Sequence, residues 1–305
     1  VLKRTGEVKF ILIISVFALF IGSASLFAQE GEAGEHWNAA IEAQEKGDLQ
    51  TAITEYKAAI TADPTFVDPH LNLGTLYFSQ KKYKDAVAQF QKVTELDPKL
   101  LDGWKNLGLT ATEMGDIQVG EKAFTEALKL RPNEPDLMES FALLYYKNDV
   151  FDRAIGKYED LVKLKSQDKV TFYALGKSYK EVGNTEKAII NLGSATKIDP
   201  NYYLAYFELG NIYLDQKNYG KAIANYKKAV GINSKHYQSW FNLGSACVGE
   251  STEESILDAY SAYKKFLSLT AGKNGSQIKK MRGEAQEIVA QLKAWFDQEL
   301  IEYEK

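Results

Sequence analysis

The sequence predicts an all-α protein built as a linear array of stacked helix pairs. Three observations carry that prediction. A skeleton of Leu-Gly, Tyr and Ala returns with a period of 34 residues: Leu73-Gly74, Tyr77 and Ala86, then Leu175-Gly176, Tyr179 and Ala188, then Leu209-Gly210, Tyr213 and Ala222. Breakers recur with the same step, at Asp63-Pro64, Asp97-Pro98, Pro132 and, two periods on, Asp199-Pro200. The composition suits helices: only 6 of 305 residues are proline, and 45% are apolar, enough for a sizeable core.

The first thirty residues stand apart from the array. Lys3, Arg4 and Lys9 precede the uncharged run Phe10–Ile21, and small residues follow up to Ala28. That order is expected of an export leader, cleaved after Ala28 or, failing that, after Ala24 or Ser25. The competing expectation is an uncleaved anchor, since the 19 residues from Phe10 to Ala28 carry no charge and about 20 apolar residues span a bilayer. Either way the rest of the chain is placed outside the cytoplasmic membrane, in the periplasm or on the envelope. The only membrane contact expected is through residues 10–28 if they are retained.

Seven repeats begin near residues 33, 67, 101, 135, 169, 203 and 237, covering 33–272. Within each, apolar residues at helical spacing line one face of two consecutive helices. A small residue recurs in the second helix, at Ala52, Ala86, Gly120, Ala154, Ala188 and Ala222, with a large one four positions on: Tyr56, Phe90, Phe124, Tyr158, Leu192 and Tyr226. The Gly of each Leu-Gly pair and this Ala clear space where helices cross. Gly47-Asp48, Gly115-Asp116 and Gly183-Asn184 mark turns, and the residue before each proline is pushed out of the α region, ending a helix. The first repeat has Ala39-Ala40 in place of Leu-Gly, as a terminal repeat can. The fourth has Phe141-Ala142 and ends with Ser166. The seventh carries about three extra residues around Gly249–Ser255. The stretch 275–305 places Ile278, Met281, Ala285, Ile288, Val289, Leu292, Trp295 and Phe296 on one side of a long helix, expected to cover the open end of the stack.

With this period and pattern, the chain resembles the tetratricopeptide repeat family over roughly four-fifths of its length. The resemblance implies a right-handed α-solenoid whose first helices line a concave groove, and a non-enzymatic adaptor that binds a peptide or protein segment there. The family's groove positions fall here on Trp37, Ile41, Leu71, Phe78, Lys105, Leu109, Glu139, Leu143, Tyr146, Lys147, Tyr173, Lys177, Lys180, Phe207, Asn211, Leu214 and Phe241. Some of these apolar side chains are equally expected to pack against the next repeat. The family's carboxylate-clamp specificity is not implied. Asn72, Asn106 and Asn242 are present, but Asp68 and Asp102 occupy a slot where a basic residue is needed. A second reading is a carbohydrate or peptidoglycan module, with Tyr146, Tyr173 and Phe207 stacking on sugars.

Residue chemistry points away from catalysis. Net charge is -4 with both signs mixed and no basic block, so nucleic acid is a poor partner. The single cysteine, Cys247, excludes internal disulfides and multi-cysteine metal sites. It stands where Tyr77, Tyr145, Tyr179 and Tyr213 stand in other repeats, which predicts a buried, inert thiol. His36 and His70 occupy a slot held elsewhere by Trp104, Phe172, Tyr206 and Trp240, so they are expected to pack rather than bind a metal. No glycine loop for phosphate is found, because the Leu-Gly pairs lie inside helices. No cofactor, metal or catalytic residue is expected. The partner's identity and the oligomeric state are not encoded in these patterns.

Overall fold

A computed structural model describes residues 31–164 and 168–303, and every regular element among them is an α-helix. The basic and apolar segment of residues 1–28 lies outside the described residues. Among the described residues, no helix is long and apolar enough to cross a membrane. Contacts divide the chain into two compact units, Val1–Gly103 and Trp104–Lys305.

The first unit contains α1 (Glu32–Glu45), α2 (Leu49–Ala62), α3 (Val67–Ser79) and α4 (Tyr83–Leu96). Helix α1 packs on α2, α2 on α3, and α3 on α4. The turn after α1 needs a left-handed residue, and Gly47 supplies it at φ 78°. Asp48 then caps α2 by accepting from the backbone N–H of Thr51 at 3.1 Å. Asp63, held extended ahead of Pro64, stops α2. The core is Ala40, Ala52, Tyr56, Ala59, Leu73, Phe90 and Val93, each at most 1% exposed. Leu73-Gly74 explains itself here. A Cβ on Gly74 would sit 2.7 Å from the Phe90 ring, so the glycine exists to admit the aromatic of its own partner helix.

The second unit holds most of α5 (Leu101–Met114), then α6 (Ile117–Leu130), α7 (Pro135–Lys147), α8 (Phe151–Leu164), α9 (Lys169–Glu181) and α10 (Thr185–Ile198). It continues with α11 (Tyr203–Asp215), α12 (Tyr219–Ile232), α13 (Tyr237–Glu250), α14 (Glu253–Thr270) and α15 (Ser276–Tyr303). Here too each helix from α6 on packs against the next along the chain, except that the α8–α9 and later contacts are supplemented by touches between first helices, α9 with α11 and α11 with α13. The glycine–aromatic fit recurs: Cβ atoms on Gly108, Gly210 and Gly244 would lie 2.8, 2.6 and 2.7 Å from the rings of Phe124, Tyr226 and Tyr263. At Gly176 the neighbour is Leu192, at 2.8 Å. Asp116, Asn184 and Asn218 cap α6, α10 and α12 through the N–H three residues on. Where no glycine stands at the turn, Asp149 and Lys217 take the left-handed step instead, at φ 60° and 56°.

The extra residues of the seventh repeat are used locally. Ser251 is left-handed, Thr252 and Ser255 form a reciprocal cap, and α14 runs for 18 residues where α13 has 14. The final helix packs on α14. Ala285 is fully buried, and Met281, Ile288 and Val289 lie against Tyr263 and Phe266. Arg282 donates to the carbonyl of Thr270 at 3.1 Å, beside the end of α14. The face is less completely covered than the sequence pattern implies, because Trp295 is 37% exposed and rests on Phe296.

Candidate functional site

In the first unit, Trp37 packs on Phe66 with ring centroids 5.6 Å apart, and Phe78 packs edge-on against Tyr83 at 5.5 Å. Ile41 and Leu71 are half-buried. His36 and His70 fill their helical slot and also tie first helix to second. The Nδ1 of His36 meets Glu55 at 2.6 Å, and that of His70 meets Gln89 at 2.8 Å.

In the second unit the predicted positions separate into packed and accessible groups. Tyr146 is only 8% exposed and packs edge-on against Phe151 within the core. The structure therefore makes it a packing residue. Phe241 is wedged between Tyr263 and Phe266, at 5.5 and 5.1 Å. Leu109 and Leu214 lie half-buried against neighbouring helices, and Lys105, Glu139 and Leu143 are half-exposed. Lys147 is exposed and pairs with Glu113 at 2.5 Å, joining α7 to α5 across one repeat period.

Of the remaining predicted residues, Lys177, Lys180 and Asn211 converge on one the sequence reading missed, Glu208, while Tyr173 and Phe207 stand beside Lys177 and His236. The Glu208 side chain is 8% exposed, yet it is an acid. Lys180 and Asn211 both donate to one carboxylate oxygen, at 2.8 and 3.2 Å, and the Lys177 ammonium stands 3.7 Å from the other. Burial pushes the Glu208 carboxyl up, but the charges of Lys180 and Lys177 and the hydrogen bonds outweigh it, and the group is held below its ordinary value. The Asn211 oxygen accepts from the Tyr226 hydroxyl at 2.7 Å and from the Asn242 amide at 2.9 Å. One polar chain thus links α9, α11, α12 and α13. Burial pushes the Tyr226 hydroxyl well above the ordinary phenol range, so it stays a donor. Tyr173 lies under the Lys177 ammonium, 5.3 Å from the ring centroid, and edge-on to Tyr202 at 5.4 Å. Phe207 faces His236 at 4.8 Å.

A signal for Glu208 was present in the sequence. It occupies the slot filled by Asn72, Asn106 and Asn242 in other repeats. An acid there, one repeat after two lysines, is an anomaly of the period itself.

Cys247 is fully buried, and burial first, then the charge of Asp258, pushes its thiol up to about 12. Among the described residues no group of His, Cys, Asp and Glu is disposed to hold a metal. A family model of tetratricopeptide repeats, described as the cilia and flagella-associated protein 70 C-terminal domain, matches residues 23–235. The chain belongs to the tetratricopeptide repeat family.

Proteins of this family mediate protein–protein interactions, and some bind peptides. This tetratricopeptide repeat protein is 30% identical over 122 residues to the heat shock protein sti1 homolog of Schizosaccharomyces pombe, covering 40% of the chain and 21% of that relative. It is 24% identical over 183 residues to the peroxisomal targeting signal receptor of Saccharomyces cerevisiae, covering 46% of the chain and 30% of the receptor. The chain thus spans less than a third of each of these curated relatives. Its fold matches the C-terminal part of a tetratricopeptide repeat protein from Cytophaga hutchinsonii with a TM-score of 0.65, at 15% identity, over 80% of this chain and 98% of that one.

Proposed function

We propose that this tetratricopeptide repeat protein is a non-enzymatic adaptor that holds a peptide or protein segment on the first-helix face of its second unit, outside the cytoplasmic membrane. The observation that carries this reading is the polar chain from Lys177 and Lys180 through Glu208 and Asn211 to Asn242. It fixes the side chains of three successive first helices in one arrangement, and half-exposed Tyr173 and Phe207 flank it. A face ordered in advance loses less side-chain entropy when a ligand lands on it. The peroxisomal targeting signal receptor among the relatives is, by its name, a receptor for a targeting signal, which supports a similar use of the fold here. Export rests on the basic, apolar and small-residue order of residues 1–28. The sugar-binding reading gains no support from the rings, since Tyr146 is buried and Lys177 covers one face of Tyr173.

Site-specific photo-crosslinking tests the face. A photoreactive residue replacing Tyr173 should capture a partner from envelope membranes that one replacing Ile190, 65% exposed on second helix α10, does not. Equal capture at both, or capture only at Ile190, sinks the assignment. Mass spectrometry of the mature N-terminus tests export, with a start at or near Gln29 expected; intact residues 1–28 on membranes would favour the anchor.

A further inference from the structure

We infer that Asn274 is a site of spontaneous covalent modification, where the Asn274–Gly275 step rearranges to a mixture of isoaspartate and aspartate just ahead of α15. Asparagine is a thermolabile residue, and it loses its side-chain amide when the backbone nitrogen of the next residue reaches its Cγ. A glycine in that next place leaves the approach open, because it has no Cβ. Asn274–Gly275 is the one Asn-Gly step in the sequence. It lies between α14 and α15, and both of its residues are exposed. A Cβ on Gly275 would meet nothing nearer than the Ile278 side chain, at 3.7 Å. Among the described residues, neither the Asn274 amide nor the Gly275 N–H makes a hydrogen bond.

The step needs only water and base. Base takes the proton from the Gly275 nitrogen, which attacks Asn274 Cγ. The Cγ–Nδ2 bond breaks, ammonia leaves and a succinimide ring closes. Water then opens the ring at one of its two carbonyls. Opening at the backbone carbonyl routes the main chain through the former side chain and leaves isoaspartate, whereas opening at Cγ leaves aspartate. The fold separates this step from others of like chemistry. Asn233–Ser234 also has a small second residue, but Asn233 is held at three points. Its N–H donates to Ala229 at 2.9 Å, its carbonyl accepts from His236 at 3.1 Å, and its side chain accepts from the Lys235 N–H at 3.1 Å. Asp102–Gly103 could cyclise by losing water, but Gly103 donates to Leu100 at 3.2 Å, and a Cβ there would lie 2.6 Å from Val93. Ring closure at either place requires local unfolding first; at Asn274 it does not. The change falls on the start of α15. Gly275 accepts from the Lys279 N–H at 2.9 Å, and the first turn of the helix holds no acid. The aspartate product brings a negative charge to this end, which the helix dipole favours. The isoaspartate product lengthens the main chain by one atom at the same point.

The test is peptide mapping by mass spectrometry on the full chain, aged at mildly alkaline pH both folded and in guanidinium chloride. Enzymatic methylation of isoaspartate separates the two products. Folded protein should convert at Asn274 within about threefold of its unfolded rate, whereas Asn233 should react about tenfold faster once unfolded. Gly275→Ala, whose methyl group has room in the fold, should slow conversion at Asn274 by about an order of magnitude in both states, because the new Cβ hinders the nitrogen's approach. Greater slowing of Asn274 by folding overturns the inference, since the junction would then be restrained. So does a folded chain in which Asn233 is modified as fast as Asn274. An unchanged rate in Gly275→Ala also overturns it, because the amide would then be lost by a route that does not pass through the Gly275 nitrogen.

Discussion

A single glycine shows how tightly residues are fitted. A Cβ on Gly210 would lie 2.6 Å from the ring of Tyr226, which is fully buried. Gly156, exposed within α8, has nothing within 4 Å. The same change should therefore have opposite signs at the two sites. Gly210→Ala gains helix propensity of about 1 kcal/mol but overpacks a rigid aromatic, at a typical cost of about 1–3 kcal/mol, so a net loss is expected. Gly156→Ala has only the propensity gain and should stabilise by about 0.5–1 kcal/mol. Urea denaturation of both variants checks this, and a gain at Gly210 would show that the ring can yield. Gly249 is a harsher case, since its Cβ would fall 2.3 Å from the Tyr219 ring. Glu208 is governed by a different term. Glu208→Ala leaves two part-buried ammonium groups around a void, and breaking a buried ion pair costs about 3–5 kcal/mol. The neutral triple variant Lys177→Gln/Lys180→Gln/Glu208→Gln should recover much of that loss.

At the scale of an element, α15 is the informative one. Its buried side is Ala285 with Met281, Ile288 and Val289, set on Tyr263 and Phe266 of α14. Leu292 reaches the cluster formed by α12, α13 and α14, and Phe296 packs edge-on against Tyr260 at 5.7 Å. In a repeat array each unit is supported chiefly by its neighbours. Truncation after Gly272 should then strip hydrogen-exchange protection first from α13 and α14, while α7 and α8 keep theirs, and the bared Tyr263–Phe266 surface should promote self-association. Unchanged protection of α14 together with a monomeric state would mean that α15 does not serve as an end cover. Trp295, left 37% exposed and edge-on to Phe296 of its own helix, is the least covered of the apolar residues named on this side.

The whole molecule is set up to lose stability at alkaline pH. Burial raises the Cys247 thiol from 9.0 and the Tyr56 hydroxyl from 10.0, each to about 12, and it pushes Tyr158 and Tyr226 higher still. In the unfolded chain these groups ionise near their ordinary values. Above about pH 9 the unfolded state therefore binds fewer protons than the folded one, and stability falls as pH rises. On the acid side Glu208, lowered from 4.5, contributes stability that is present above that value and is lost as pH falls through its folded pKa. Thermal melts across pH should show a broad neutral maximum and a steep alkaline limb. Cys247→Ala should delay the onset of that limb. A flat melting temperature through the alkaline range would mean that these groups ionise without unfolding.

The sequence by itself determined the period, the helix pairs and the punctuation between them. Those features are local: a proline restricts the residue before it, an Asp or Asn caps the next three residues, and apolar spacing chooses the face. It also determined the glycine–aromatic fit in outline, since Gly74 and Phe90, Gly108 and Phe124, and Gly210 and Tyr226 each stand 16 residues apart, a spacing that the extra residues of the seventh repeat stretch to 19 between Gly244 and Tyr263. Only the tertiary structure decided how the groove-type positions are used. Tyr146 and Tyr173 are both tyrosines on first helices, yet one is core and the other half-exposed, because burial depends on what the next helix places opposite. Glu208 acquires its meaning from Lys177 and Lys180 about one repeat earlier and from Asn242 one repeat later. A buried charge is tolerable only where its counter-charges converge in space, and that convergence is a property of how the repeats stack, which no single repeat contains.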